Sequence, residues 1–138
     1  MQWSMEKNAG FSEGNPWLKV NPNYLQINVE AQINDENSIL KYYQKLISLR
    51  KSEEYGEVFI YGDFCPAYLD KDKIYAFYRK LNDKKILVAA NFGQDDVALE
   101  LEKENKEVLL SNMGRKSLPF GTTLTLKSCE VVVVLYLK

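Results

Sequence analysis

The sequence predicts a mainly β protein, an antiparallel β-sandwich preceded by a long loop and one amphipathic helix. From residue 56 onward, short apolar runs alternate with turn residues at intervals of about ten residues, which is the pattern of an all-β domain. Two of these runs, at 86–90 and 131–137, are apolar throughout, as expected of central strands that are covered on both faces. Upstream of them, residues 38–51 have helical periodicity, whereas residues 1–36 have no regular period.

Residues 1–36 are rich in aromatic side chains, Asn and Gly, and we expect them to form a long loop. Turns are predicted at Gly10, at Gly14 and at the two Asn-Pro pairs, because proline forces the preceding residue into an extended conformation. A loop of this length is unusual inside a compact domain. It indicates either a functional loop or a segment whose structural support lies elsewhere.

The best-patterned element is the helix predicted for residues 38–51, with Asn37 or Ser38 as its N-cap. One half of its surface is apolar and wide enough to contact more than one neighbour. This half comprises Ile39, Leu40, Tyr42, Tyr43, Leu46, Ile47 and Leu49. Arg50 projects from the same half, so we expect a carboxylate or carbonyl partner for this structural residue. Alternatively, the stem of Arg50 covers apolar surface while its guanidinium reaches water.

Eight strands are predicted in the second part of the chain, and we expect a sheet that is mostly a meander. They are 57–61, 65–69, 74–80, 85–91, 97–101, 107–111, 122–126 and 130–137. The polar connections at 70–73 and 82–84 have hairpin length, so the strands that flank each of them should be antiparallel neighbours. We expect the helix to pack outside one sheet or to bridge to another domain.

Composition and charge exclude several partners. The formal net charge is −1 with both signs intermixed, which provides neither a basic stripe for nucleic acid nor a polybasic patch for a membrane. No apolar run approaches the roughly 20 residues that span a bilayer, and the first residues do not resemble a signal peptide, so we expect a cytoplasmic protein. Cys65 and Cys129 lack metal-site spacing and are predicted to be small buried hydrophobes with reduced thiols.

The chain contains no histidine, which removes the commonest general base, the Ser-His-Asp arrangement and nearly all zinc chemistry. It also has no phosphate-binding glycine motif. Paired carboxylates occur at 53–54, 70/72 and 95–96, in predicted turns or at a helix end, where Asp and Glu serve turn chemistry and solubility. We therefore predict no catalytic residue, no metal ligand and no cofactor.

The aromatic side chains of the first segment are the remaining candidates for a binding function. Trp3, Phe11 and Trp17 could stack on sugar rings while neighbouring Asn side chains bind hydroxyl groups. These aromatic side chains could equally anchor a long loop onto its own domain. The residue types alone do not decide between sugar binding and anchoring of the loop.

In the same segment, the motifs MQW, NAGF, PW and VNPNY occur in order, followed by SILKYYQKLISLRKS. With them, the whole chain resembles the C-terminal part of bacterial α-glucosidases of glycoside hydrolase family 13, especially oligo-1,6-glucosidases and dextran glucosidases. In the later β-rich part, YAFYR and LVAANF match more loosely. The resemblance implies that residues 1–54 are the last loop and last helix of a (β/α)₈ barrel. Residues 55–138 would form the α-amylase-type C-terminal antiparallel β-domain.

The same resemblance implies that the three catalytic carboxylates of the family lie upstream of MQW, so we expect the isolated chain to be inactive and structural. Many relatives carry Asp where this chain has Ser4, which leaves no role to transfer to that position. The expected partner is the catalytic barrel of the parent enzyme. The alternatives are a stand-alone oligosaccharide-binding module and a homodimer formed through the stripe that includes Leu40, Tyr43, Leu46 and Ile47. Met1 coincides with an internal methionine of the family motif, so we expect it to mark an expression boundary, a truncated gene or a mis-called start.

Overall fold

The computed structural model describes residues 1–119 and 121–137; Phe120 and Lys138, which the predicted β-domain includes, lie outside the described residues. The chain forms two compact units, Met1–Ile47 and Ser48–Lys138. The division into residues 1–54 and 55–138 expected from the family resemblance stays an interpretation.

The first unit contains three short helical segments where the sequence predicted a continuous loop. Two are 3₁₀ turns, at Lys7–Gly10 and Pro22–Leu25, and the third is helix α1, Val29–Ile33. Asn21 and Asn28 each cap the segment that follows, and the Oδ1 atom of Asn28 accepts a hydrogen bond of 2.8 Å from the Ala31 N–H. These segments have four or five residues each, too few to give a helical period in the sequence.

Helix α2 spans Ile39–Arg50, close to the predicted 38–51. Of the two expected N-caps, the structure selects Ser38, whose hydroxyl accepts a hydrogen bond from the Lys41 N–H at 3.2 Å. The same hydroxyl donates to the Gln32 carbonyl at 2.8 Å, which ties the start of α2 to the end of α1. No side chain of α2, all of whose residues are described, is fully buried.

The first helix that lies wholly in the second unit is α3, Gly56–Tyr61, and seven strands follow it in the residues that the structure describes. The strands are β1 Asp63–Ala67, β2 Ile74–Leu81, β3 Lys84–Asn91, β4 Val97–Glu100, β5 Asn105–Ser111, β6 Thr123–Leu126 and β7 Val131–Leu137. Seven of the eight predicted strands are confirmed within one to two residues at each end. The strand predicted at 57–61 is wrong, because EVFIY forms α3.

That error has a local cause. A run of five apolar and polar residues fits a strand and a helical turn equally well, so the sequence pattern alone could not decide between them. The Ser52 hydroxyl accepts from the Tyr55 N–H at 3.0 Å, and the Gly56 N–H donates to the Ser52 carbonyl at 2.9 Å. A Cβ at Gly56 would lie 2.9 Å from the Arg50 carbonyl oxygen. Glycine at this position therefore lets the chain turn tightly from α2 into α3.

The strands form a five-stranded antiparallel sheet in the order β1-β2-β3-β7-β5 and a two-stranded sheet of β4 and β6. The two hairpins predicted at 70–73 and 82–84 are confirmed, since they join β1 to β2 and β2 to β3. The expectation of a meander holds only for these three strands. After β3 the chain crosses to the second sheet, and β7 returns between β3 and β5.

Both faces of the five-stranded sheet are apolar, which explains the unbroken apolar runs of β3 and β7. One face packs against the two-stranded sheet, where alternate residues such as Leu87, Val132 and Val134 meet Leu99 and Leu124. On the opposite face, Ile86, Val133 and Leu135 form a cluster with Val58 of α3, and Leu49, Tyr55 and Phe59 pack against it. The predicted β-sandwich with central strands β3 and β7 is confirmed.

Both cysteine thiols are free, in agreement with the sequence prediction. Their expected burial is wrong for Cys129, which is exposed, whereas Cys65 is half-buried. Cys129 has a φ of 57° in the turn before β7, a position at the end of the sheet that the strand pattern could not reveal. Across the described part of the chain, every helix is too short or too polar to cross a membrane.

Candidate functional site

The loop formed by residues 3–14 is held in shape by its own backbone. The Trp3 and Ser4 N–H groups both donate to the Ala9 carbonyl, at 2.8 and 3.2 Å. Asn8 and Ala9 lie in the left-handed region, with φ of 56° at each. The Asn8 side-chain amide donates to the carbonyls of Ser12 and Gly14, both at 2.8 Å. Left-handed non-glycine residues store backbone strain, and they concentrate at functional loops.

Gly10 fixes how closely this loop approaches Ser4. Its φ is +69°, and a Cβ at Gly10 would lie 2.4 Å from the Ser4 hydroxyl oxygen. The Ser4 hydroxyl also accepts a hydrogen bond of 3.2 Å from the Glu6 N–H. A glycine is therefore required here both for the backbone conformation and for space.

An open pocket of about 600 Å³ lies on this loop. It is lined by Glu6, Lys7, Gly10, Phe11, Ser12 and Glu13. Its volume is within the range of small-molecule sites, and it combines one aromatic ring with an ammonium group and two carboxylates. Phe11 is the only one of the three aromatic candidates that lines it.

Trp3 and Trp17 lie outside the lining of that pocket. The exposed fraction is 92% for Trp17 and 50% for Trp3, against 46% for Phe11. Trp17 does not anchor the loop by burial, because its side chain is almost fully exposed. Trp3, Phe11 and Trp17 are thus all exposed on the first unit, but of these three side chains only Phe11 lines the pocket.

Arg50 has the carbonyl partner that the sequence predicted. Its Nη1 atom donates to the Phe59 carbonyl oxygen of α3 at 3.2 Å, and the side chain remains exposed. The guanidinium therefore contacts both a protein acceptor and solvent. The predicted carbonyl partner and the alternative of a guanidinium that reaches water both apply. Because Phe59 lies near the end of α3, this bond links the last turn of α2 to α3.

The paired carboxylates do not meet across a cleft. Asp96 forms an ion pair with Lys127, and hydrogen bonding to that ammonium group lowers the pKa of Asp96. Asp70 and Glu53 lie in exposed turns. Among residues 1–119 and 121–137, no group of three or more His, Cys, Asp or Glu side chains is placed to hold a metal ion.

A buried ion pair in the second unit was missed by the sequence analysis. The Glu130 carboxylate is 1% exposed and accepts two hydrogen bonds from Arg115, at 2.7 and 2.9 Å, and one from the Lys127 N–H at 2.9 Å. Burial by itself would raise the pKa of Glu130, but these hydrogen bonds outweigh it and lower the pKa. The two residues are 15 positions apart, so no local pattern could pair them. The pair links the connection between β5 and β6, which contains Arg115, to the turn before β7, which contains Glu130.

Three tyrosines of the sandwich core, Tyr68, Tyr78 and Tyr136, form a second cluster that a sequence pattern did not single out. The rings of Tyr78 and Tyr136 pack edge to face at 5.9 Å, and the Lys85 ammonium lies 4.8 and 4.5 Å from the two ring centroids. Tyr68 donates to the Glu100 carbonyl at 2.8 Å. Burial raises the pKa of Tyr136 to about 12, so this phenol stays neutral at ordinary pH. The cluster packs the domain and offers no acid or base.

Two family models match the chain. The model described as "Alpha amylase, catalytic domain" matches residues 1–59, and the model of the alpha-amylase SusG C-terminal domain matches residues 74–133. The first match ends inside α3, and the second begins at β2. The catalytic-domain match therefore includes the aromatic loop, α1 and α2.

Characterised proteins with similar sequences include two glucosidases. The chain is 43% identical over 117 residues to the glucan 1,6-alpha-glucosidase of Streptococcus pneumoniae, covering 84% of this chain and 21% of that protein. It is 40% identical over 116 residues to the oligo-1,6-glucosidase of Parageobacillus thermoglucosidasius, covering 81% of this chain and 20% of that protein. The chain thus spans about a fifth of the length of the relatives that it matches.

Solved structures agree in fold. The trehalose-6-phosphate hydrolase of Bacillus licheniformis superimposes with a TM-score of 0.86 at 34% identity, over 99% of this chain and 25% of that one. The isomaltulose synthase of Klebsiella sp. LX3 gives a TM-score of 0.84 at 33% identity, over 97% of this chain and 24% of that one. The resemblance to the C-terminal part of family 13 enzymes is confirmed.

Proposed function

The chain belongs to glycoside hydrolase family 13 and corresponds to the C-terminal part of its α-glucosidases, and we propose that it completes and supports the catalytic barrel of such an enzyme. In this role it contributes the last loop and last helix of the barrel, followed by a β-domain, and carries none of the catalytic carboxylates. The whole enzyme would act on α-1,6 glucosidic bonds of short oligosaccharides, with α-1,4 bonds as the second option. A cytoplasmic location stays a prediction.

One contact supports this proposal above the others. Leu49, Tyr55 and Phe59, which lie inside the segment matched by the catalytic-domain model, pack against the apolar cluster on the outer face of the five-stranded sheet. The β-domain therefore holds the end of the catalytic-domain segment through its own core. These three side chains are partly buried, so each contributes less than the about 1.5–3 kcal/mol of a fully buried apolar side chain.

The proposal is tested by assaying the 138-residue chain on isomaltose and on p-nitrophenyl α-glucoside. We expect no product above the buffer rate, because the three catalytic carboxylates of the family are expected upstream of the MQW motif at residues 1–3. Turnover that persists after repeated purification and disappears on heating would contradict the structural role.

A second candidate function, oligosaccharide binding by the isolated chain, is favoured by the exposure of Trp17 and by the pocket at Phe11. A sugar that stacks on an indole ring changes its fluorescence. Titration with isomaltose should then give a saturable change in the emission of Trp3 and Trp17, and Trp17→Ala should reduce it more than Phe92→Ala, a change at an exposed ring of the β-domain. A change in tryptophan emission that stays linear up to high millimolar isomaltose would exclude saturable sugar binding, and only the supporting role would remain.

A homodimer through the exposed side chains of α2 remains the third candidate. Ile39, Tyr43 and Ile47 are 72%, 60% and 51% exposed, and Leu46 is 37% exposed. Large exposed apolar patches mark interaction surfaces. Sedimentation of the chain at increasing concentration would show a dimer that Leu46→Asp dissociates; a constant monomer mass would exclude it.

A further inference from the structure

The segment from Asn8 to Gly14 is closed into a ring by a single side chain. The Asn8 side-chain amide donates one hydrogen bond to the Ser12 carbonyl and one to the Gly14 carbonyl, each 2.8 Å long. A primary amide has two N–H donors, so both are used inside this segment. The Asn8 carbonyl also accepts a hydrogen bond of 3.4 Å from the Phe11 N–H. Asn8 therefore bonds to three points of the segment that carries Phe11.

The backbone conformation at residue 8 suits asparagine. Asn8 has a φ of 56° and a ψ of 31°, in the left-handed region that asparagine adopts more readily than most other residues. Ala9 follows with the same φ, and its side chain can offer no hydrogen bond to offset the cost of that conformation. The two bonds of the Asn8 amide therefore stabilise a turn that is strained at two successive residues.

Asn8 does not line the pocket on this loop. The lining residues lie on both sides of it in the sequence, at 6–7 and 10–13. Both donors of the Asn8 amide are taken by backbone carbonyls, so neither is left for a ligand. Ser12 contributes to the lining and also receives one of these bonds at its carbonyl. Asn8 can therefore act on a bound molecule by fixing the lining residues, among them Phe11.

The lining of the pocket has the chemistry of a sugar site. Phe11 offers a half-exposed ring, on whose face a pyranose ring can stack. Beside it are the Lys7 ammonium, which donates to hydroxyl groups, and the carboxylates of Glu6 and Glu13, which accept from them. Among the residues that the structure describes, none of these three charged groups forms an ion pair. The pocket thus combines a stacking surface with the donors and acceptors that a polyhydroxyl ligand needs.

We propose that Asn8 is a positioning residue for oligosaccharide binding. Through its bonds to the Ser12 and Gly14 carbonyls, it holds the Phe11 ring where a glucosyl unit stacks, and it does not itself touch the sugar. A ring on a loop that is already ordered loses less conformational entropy on binding than a ring on a mobile loop. The inference rests on the oligosaccharide-binding function proposed for this pocket and identifies a residue on which the affinity depends.

The test uses the 138-residue chain and measures the dissociation constant for isomaltose by NMR titration. Asn8→Gly removes the amide but supplies a residue that adopts the left-handed conformation without strain, so the side-chain bonds alone are lost. Asn82→Gly is the matched control, because Asn82 has a φ of 53°, lies in the turn between β2 and β3 and does not line the pocket at Phe11. Each variant is also made together with Phe11→Ala.

We expect Asn8→Gly to weaken isomaltose binding about tenfold, because the loop must then be ordered at the moment of binding. Asn82→Gly should bind isomaltose as the unchanged chain does. In a chain that already carries Phe11→Ala, adding Asn8→Gly should cause no further loss, since Asn8 acts through the Phe11 ring. The backbone amide spectrum of the second unit should be the same for the unchanged chain and for Asn8→Gly.

Equal affinity of Asn8→Gly and Asn82→Gly for isomaltose would overturn the positioning role. So would a tenfold loss that persists in the Phe11→Ala background, because Asn8 would then act independently of the ring. If Asn8→Gly unfolds the first unit, Asn8→Asp takes its place. This change keeps the size of the side chain but exchanges the donating amide for a carboxylate, so a loss of at least tenfold is expected and an unchanged affinity overturns the role.

The outcomes for the site and for Asn8 are distinguishable. An unchanged chain that shows no saturable binding of isomaltose would refute the oligosaccharide-binding function, and this inference with it. Saturable binding that Phe11→Ala weakens and Asn8→Gly does not would confirm the site at Phe11 and refute the role of Asn8 alone.

Discussion

The two compact units of this chain are stabilised in different ways. In the described residues, Ala9 is the only fully buried apolar side chain of the first unit, whereas the second unit has two apolar clusters on the two faces of its sheet. The first unit is held by hydrogen bonds between side chains and the backbone: the Asn8 amide donates to a carbonyl, and Asn28 and Ser38 accept from backbone N–H groups. Such bonds contribute about 1 kcal/mol each, so they fix a shape without providing a core.

This difference indicates which unit is the more stable. The second unit has buried apolar clusters on both faces of its sheet, whereas Ala9 is the one buried apolar residue among the described residues of the first, so we expect the second unit to be the more stable. Both tryptophans, Trp3 and Trp17, lie in the first unit, and all seven strands lie in the second. Tryptophan fluorescence therefore reports on the first unit, whereas far-ultraviolet circular dichroism reports on the strands of the second unit together with the helices of both.

The largest effect is expected from Leu99→Ala. Leu99 is completely buried and lies directly opposite Leu124 in the two-stranded sheet. Removing its side chain leaves a cavity in the sandwich core, and the free energy of unfolding should fall by about 3 kcal/mol. Urea unfolding followed by circular dichroism measures this loss.

The matched control is Leu18→Ala in the first unit, where Leu18 is 64% exposed. Its unfolding midpoint should stay close to that of the unchanged chain by both probes. If Leu18→Ala destabilised the chain as much as Leu99→Ala, the contrast between a unit with a core and a unit without one would be wrong.

Much of the second unit could be predicted from the sequence, because strand patterns are local. The alternation around Tyr75 and the apolar runs of β3 and β7 located the strands, and the short polar connections identified two hairpins. The order of β7 and β5 could not be predicted, since it depends on long-range pairing. Helix α3 was missed because a five-residue run has no distinguishing period.

The candidate site was only partly predictable. Trp3, Phe11 and Trp17 were singled out by residue type, but a type cannot show that Phe11 alone lines the pocket. The short turns of the first unit depend on Asn caps and left-handed residues, which leave little trace in a hydrophobicity pattern. Arg115 and Glu130 lie on either side of β6 in the sequence, and only the fold brings the two residues together.

A middle-sized effect is expected when this ion pair is broken by Glu130→Gln. The change leaves the Arg115 guanidinium with a weaker acceptor in a partly buried position, so the free energy of unfolding should fall by about 2 kcal/mol at neutral pH. The second unit should lose stability by circular dichroism. Glu53→Gln, at an exposed position before α3, is the control and should change little.

The same pair predicts a pH dependence. Because the pKa of Glu130 is lower in the folded protein than the usual 4.5, its carboxylate stabilises the fold above that value. The contribution is lost as the pH falls through the lowered pKa, where the folded carboxylate takes up a proton. The stability difference between the unchanged chain and Glu130→Gln should therefore narrow on acidification below about pH 4. A difference that stayed constant down to the acid limit would show that the charge of Glu130 is not what stabilises the fold.

The smallest effect is expected from Gly10→Ala in the first unit. Gly10→Ala places a Cβ in a left-handed conformation and 2.4 Å from the Ser4 hydroxyl oxygen, so the loop should be destabilised by about 1 kcal/mol. We expect the fluorescence transition of Trp3 and Trp17 to move to lower urea while the circular dichroism transition stays in place. The double variant Ser4→Ala with Gly10→Ala removes the close oxygen and should recover part of the loss, leaving only the backbone term. If both probes moved together, the loop and the sandwich would unfold as one cooperative body, and the weaker stabilisation of the first unit would not give it an unfolding transition of its own.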